Sequence, residues 1–141
     1  LGIRESRRFS GKYVMNISDL REARRFPDVV VHKAQFVVDI HNPVGGGQAN
    51  GIAEYVDAYD IPWRSLVPQK MENLILAGRC ISGTHEAMAS YRVMAIAMAI
   101  GEAAGIGAAL AIDHDVTPEN LDVKYIQKAL MDKGAVLFDE K

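Results

Sequence analysis

Apolar residues fall along this chain in three different rhythms. Between 73 and 112 they run almost without interruption. Asn-Leu-Ile-Leu-Ala at 73–77 reads as a strand, Gly78 and Arg79 as a turn, 80–90 as a polar bend, and the stretch ending near Ile112 as one long helix rich in alanine and glycine. A short apolar run, a glycine and then a helix is how α/β proteins offer backbone N–H groups to an anionic ligand, because a helix start has unpaired donors and a partial positive charge. In 1–72 the rhythm is that of strands. Val29, Val30 and Val31, and Phe-Val-Val-Asp-Ile at 36–40, are rich in β-branched residues and predict sheet. Residues 2–15 mix charges with Ile3, Phe9, Tyr13 and Val14 around Gly11, which predicts extended chain or a hairpin. Ser18, followed by the acids Asp19 and Glu22, predicts a short helix that stops before Pro27. Residues 42–51 are a glycine-rich loop, and Pro62 and Pro68 stiffen a segment that carries Trp63 and Arg64, as a ligand wall or as packing. In 113–141 a polar run leads to Asp122 as the cap of a last helix through about Lys133. Val123, Ile126, Ala129 and Leu130 share one face of it, and Gly134 ends it. The pattern predicts an α/β fold with a mixed sheet, a long buried glycine- and alanine-rich helix and a C-terminal helix.

Composition narrows the function classes. A chain of 141 residues suits a single core. With 16 Lys and Arg against 18 Asp and Glu, the net charge of -2 supplies no broad basic field, so a nucleic-acid partner is not expected. The single cysteine, Cys80, can form no internal disulfide and leaves the compartment open, with a soluble, cytoplasmic protein favoured. The first residues are polar and charged and begin without methionine, which reads like a chain cut from something longer. The stretch 93–112 has one charge, Glu102, and Gly101 and Gly105 at the spacing of packed membrane helices. A carboxylate at mid-span is disfavoured by roughly 2.5–3.5 kcal/mol on insertion scales, and alanine and glycine gain little from lipid. A buried helix is expected there and no membrane span.

Candidate chemistry is sparse. The histidines His32, His41, His85 and His114 lack H-E-x-x-H spacing, so no metal site is expected. Cys80 and His85 could form a thiolate pair, but a cysteine after a buried strand fits a small core residue better. Ser82, Ser90, His85 and Glu86 are hydrolase residue types without a G-x-S-x-G elbow. Gly45, Gly46 and Gly47 lack the Lys-Ser/Thr of a P-loop. Arg79 follows a glycine at a strand end. Arg92 falls in the first turn of the long helix, where the dipole disfavours a cation by about a few tenths of a kcal/mol. An anionic ligand would offset that, and so would a salt bridge to Glu86 or to an acid elsewhere. Met94 and Met98, one turn apart, suit a core.

These residues carry a resemblance. Asn-Leu-Ile-Leu-Ala-Gly-Arg-Cys-Ile-Ser-Gly-Thr-His-Glu-Ala-Met-Ala-Ser-Tyr-Arg-Val-Met at 73–94, with Gly-Glu-Ala-Ala-Gly at 101–105, resembles the C-terminal cofactor-closing segment of FAD-dependent oxidoreductases of glutathione-reductase-like fold. Gly-Ile-Arg-Glu-Ser-Arg-Arg at 2–8 with Gly11 and Tyr13, Asp39 to His41, and 61–68 are similar to the stretches that precede it, so the likeness covers nearly the whole chain. It implies the incomplete C-terminal part of a two-domain flavoprotein fold. The stretch 1–72 would be a strand-rich part from the substrate side, 73–112 the strand, turn and helix closing on FAD, and 113–141 a helical tail. It implies that Gly78, Arg79, Ser90, Arg92, Val93 and Met94 contact FAD, with backbone N–H groups near Arg92, Val93 and Met94 facing the pyrimidine edge of the flavin and Ser90 capping the helix. It makes His85 and His41 candidates for substrate binding or proton transfer during hydride removal from an alcohol or amine carbon. The G-x-G-x-x-G fingerprint is absent from the sequence. The expected partners are therefore a missing N-terminal half of the same polypeptide and a small-molecule substrate. The chain alone should bind FAD poorly, turn nothing over, and self-associate through its uncovered apolar surface. The competing reading is a self-contained α/β module that binds a small anion or a protein partner at a helix N-terminus.

Overall fold

The computed structural model describes residues 5, 7–41 and 53–139. The glycine-rich loop falls outside the described residues. At the centre lies a two-stranded antiparallel ribbon, β1 (Val29–Ala34) against β2 (Tyr59–Pro62), with Val29 opposite Pro62, Val31 opposite Ile61 and Ala34 opposite Tyr59. Val29, Val30, Val31 and Ile61 are all buried, the pattern of strands covered on both faces. The register slips twice, and Lys33 at φ +52° marks the second irregularity.

The described residues also form four α-helices, two of which pack on the ribbon. The first, α1 (Ile17–Arg21), is capped by Asn16, whose side chain accepts from Ser18 and Asp19 N–H while Asp19 reaches back to Asn16 N–H. That capping box starts the helix ahead of the predicted Ser18. The second half of the predicted polar bend at 80–90 is a helix, α2 (His85–Tyr91), capped by Thr84. The long helix α3 (Met94–Asp113) crosses β1, and α4 (Val123–Asp132) packs against both. Asp122 caps α4 and Gly134 follows it at φ +94°, both as predicted. Gln127 Nε2 donates to the carbonyls of Pro27 and Val29 and ties α4 to the head of β1. The 3₁₀ turn Trp63–Ser65 drives Trp63 against α3, where a Cβ on Gly107 would stand 2.4 Å from the indole. Arg64 pairs with Asp28 through two hydrogen bonds of 2.9 and 3.1 Å, so this stiff segment is packing. The described part of the N-terminal stretch is extended and forms no hairpin among the described residues. Lys12 N–H donates to Val67, Tyr13 to Arg64, Met15 to Ser82, and Thr84 to Met15.

Three expectations are corrected. Residues 73–77 form no strand. Leu76 N–H donates to Leu66 O at 2.8 Å, and no ladder forms on either side among the described residues. Residues 36–40 contribute an isolated bridge, Val38 to Glu54, so among the described residues the expected mixed sheet reduces to the antiparallel ribbon and isolated bridges. Finally, α3 is not a buried helix. Its core side is the stripe Ile96, Ile100, Ala103, Ala104, Gly107 and Ala111, while Met94 is 81% and Met98 74% exposed. The pair expected in the core thus lies on the open side. By length and composition α3 could cross a bilayer, yet its buried stripe packs on β1 and α4, and Glu102 is exposed near its middle.

Candidate functional site

The break between α2 and α3 creates the site. The apolar flow from Met88 to Ile96 hides it in the sequence, but Val93 adopts extended dihedrals and the chain restarts as a second helix. Arg92 is therefore the C-cap of α2, not a first-turn residue of the long helix. At that end the dipole favours a cation, so the electrostatic cost expected for Arg92 does not arise. Its guanidinium, largely buried, donates to the backbone carbonyl of Asp39 at 2.6 Å and lies 3.5 Å from the Asp39 carboxylate. The acid beside it is thus Asp39 and not Glu86.

An open hollow of about 390 Å³ lies at this junction, lined by Phe36, Asp39, His41, Arg79, Arg92, Val93 and Met94. Five of the eight residues named from the sequence are gathered in it: Arg79, Arg92, Val93, Met94 and His41. Gly78 stands beside it at φ +63°, a left-handed conformation that lets the chain turn into the 3₁₀ turn Gly78–Cys80 and expose Arg79. The start of α3 has no side-chain cap and no acid in its first turn. Its first intrahelical bond runs from Ala97 N–H to Val93 O, so the N–H groups of Met94, Ala95 and Ile96 lack intrahelical acceptors. The helix-start N–H groups beside the hollow, the two guanidiniums and the apolar Met94 and Phe36 on its lining make a set that fits the electron-rich edge of a planar heteroaromatic ring.

Two named residues are elsewhere. Ser90 caps no helix and does not line the hollow, since Thr84 and Val93 hold the cap positions. It is fully buried, its hydroxyl donating to Phe36 O at 2.6 Å and bonded to Tyr59 Oη at 2.8 Å. It anchors the Phe36 wall from behind. Burial pushes the Tyr59 hydroxyl up to about 12. His85 is the exposed first residue of α2, with Nδ1 against Glu5, and does not reach the hollow. Cys80 is half-buried, its Sγ 3.2 Å from Ala77 O. Among the described residues no three His, Cys, Asp or Glu side chains converge as a metal site requires.

Asp39 was the residue given no role. It accepts from Arg92 through its backbone, and its Oδ2 lies 2.7 Å from His41 Nε2. The signal was the i, i+2 spacing of Asp39 and His41, which on extended chain puts both side chains on one face.

The fold mixes helices with a small two-stranded sheet, and the sequence comparison gives the family. The family described as FAD dependent oxidoreductase matches residues 1–130, and the chain belongs to it. No curated protein and no solved structure matches the chain.

Proposed function

We propose that this chain is the C-terminal portion of an FAD-dependent oxidoreductase that removes a hydride from an alcohol or amine carbon of a small organic substrate. One observation carries the proposal: the uncapped start of α3 opens into the same hollow as Arg79, Arg92 and His41. When bound, FAD supplies the hydride-accepting ring system. The N–H groups at the start of α3, at Met94, Ala95 and Ile96, would offer fixed dipoles to the negative charge that such a ring gains on reduction. Gly78 brings Arg79 to the hollow, where it would hold the anionic parts of the cofactor, and Val93 and Met94 would supply apolar contact to its ring.

Of the two candidate bases, His41 is favoured by position. A hydrogen bond from its Nε2–H to Asp39 leaves Nδ1 as the acceptor, so the carboxylate fixes the tautomer and His41 can take the proton released as the hydride departs. Arg92 holds Asp39 in turn. The adenosine half of the cofactor needs a phosphate-binding fingerprint that is not in these residues. We therefore assign that role to an N-terminal half of the same polypeptide, packed on the open side of α3 around Met98, Gly101 and Gly105. The purified chain alone is expected to lose all flavin absorbance on desalting and to self-associate through that open side.

The test is a screen of alcohols and amines as reductants of the full-length holoprotein, followed by single-turnover reduction of variants. His41→Asn should slow reduction by about 10²–10⁴-fold, the usual contribution of a positioned base, and His85→Asn should leave it within threefold. A wild-type rate in His41→Asn contradicts the assignment, as does a full-length protein that retains no flavin.

A further inference from the structure

The proposed function leaves one hollow and one stretch of sequence unused. Arg7, Arg8, Phe9 and Val14 of the N-terminal segment, with Ser82 and Gly83 ahead of α2, line an open depression of about 450 Å³ that shares no residue with the cofactor hollow. Its chemistry is two-sided. Arg8 is held in place by Nε–H donating to Gly83 O at 2.9 Å and by an ion pair with Glu5. A guanidinium has five N–H donors, so others remain for a ligand. Arg7 is exposed and has no ion-pair partner among the described residues. Glu5 is the acid at this place. Burial pulls its carboxyl up, but the Arg8 hydrogen bond and the nearby His85 outweigh that and hold it below the usual range. Arg7 and Arg8 both line the depression, while the Glu5 carboxylate is engaged by Arg8 and His85. Ser82 is fully buried, and its hydroxyl has no hydrogen-bond partner among the described residues, a rare condition for a buried polar atom. Phe9 and Val14 add an apolar wall, being 42% and 46% exposed beside these charges.

We propose that this depression is a binding site for a small organic carboxylate with an apolar body, the carboxylate held by Arg7 and Arg8 and the body lying on Phe9 and Val14. Planar guanidinium forks match a carboxylate in two parallel hydrogen bonds. The apolar wall selects an organic anion over an inorganic one, and the volume suits a small molecule and not a polymer. The site stands apart from the flavin chemistry and does not depend on it.

The experiment is a titration of the ¹⁵N-labelled chain with benzoate, benzyl alcohol and inorganic phosphate, read by amide shifts. Benzoate should give saturable shifts at Arg8, Phe9 and Gly83, with benzyl alcohol and phosphate at least tenfold weaker. Arg7→Gln, at an exposed position outside the core, should keep the native spectrum and weaken benzoate at least fivefold. Ser82→Ala should weaken it two- to threefold. Absent or unsaturable benzoate shifts overturn the proposal, as does undiminished affinity in Arg7→Gln or phosphate binding as tightly as benzoate. Shifts at Val93 and Met94 instead would put the anion in the cofactor hollow and overturn it too.

Discussion

The two longest helices differ in how much of their stabilisation lies within these residues. In α4 the apolar side chains fall on one face, Ile126 and Leu130 are buried, Asp122 caps the start and Gly134 the end. Everything the helix needs is supplied locally. In α3 apolar residues occur all round, only one stripe is buried, and the start has no side-chain cap. A Cβ on Gly101 or Gly105 would meet nothing within 4 Å. A helix that is hydrophobic on every side is normally covered on every side. The open face and open start of α3 therefore fit a helix whose remaining partners are a second protein layer and a bound ring, as the proposed function assigns.

The contrast can be broken at several points. The largest effect belongs to Ile126→Ala, which should cost about 2–5 kcal/mol in urea unfolding, the range for buried large-to-small changes. Met98→Ala, on the open face of α3, should stay within about 0.5 kcal/mol. Equal costs would mean that α3 is covered after all. Next in size is a pH effect on the buried side. Tyr59 sits in the fold with its hydroxyl pushed up to about 12, against an ordinary value near 10.0. The unfolded chain ionises first as pH rises, so stability should be intact below pH 10 and fall between about 10 and 12. Burial raises the Tyr91 and Tyr13 hydroxyls in the same direction, so Tyr59→Phe should remove part of that slope, read by urea midpoints across pH, and an unchanged slope would assign all of it to the other tyrosines.

Glycines sharpen the comparison within α3 itself. Gly107→Ala drives a methyl into Trp63 and should destabilise by about 1–3 kcal/mol. Gly101→Ala faces open space and should stabilise the isolated chain by about 0.5–1 kcal/mol through helix propensity. In the full-length protein the same Gly101 change should lose that gain, because the proposed neighbour packs there. Of similar size is the cap: Asp122→Ala should cost about 1 kcal/mol, whereas Val93→Ala has no cap bond to lose.

Much of this was legible in the residues, and the failures have physical causes. Asp122, Gly134 and the Ile126 face announced α4 because each feature is local. The valine run announced β1 for the same reason. The break at Arg92 and Val93 was hidden because no glycine or proline marks it and the apolar pattern runs through. Residues 73–77 have strand composition, but a strand also needs a neighbour, and none pairs with them among the described residues. Burial of Met94 and Met98 was inferred from apolar character, which records what a side chain can pack against and not what stands next to it in this chain. At the site, Arg79, Arg92, Val93, Met94 and His41 came together as a group. Ser90 proved to be interior support, and Asp39 was overlooked although its spacing from His41 was visible.

The central claim is that the donors at the start of α3 face the flavin. Hydrogen exchange on the full-length protein, with and without FAD, tests it most directly. FAD should slow exchange of the Met94, Ala95 and Ile96 amides by at least tenfold while leaving 123–132 unchanged. Equal exchange at the start of α3 in the two forms, with the flavin demonstrably bound, would contradict it.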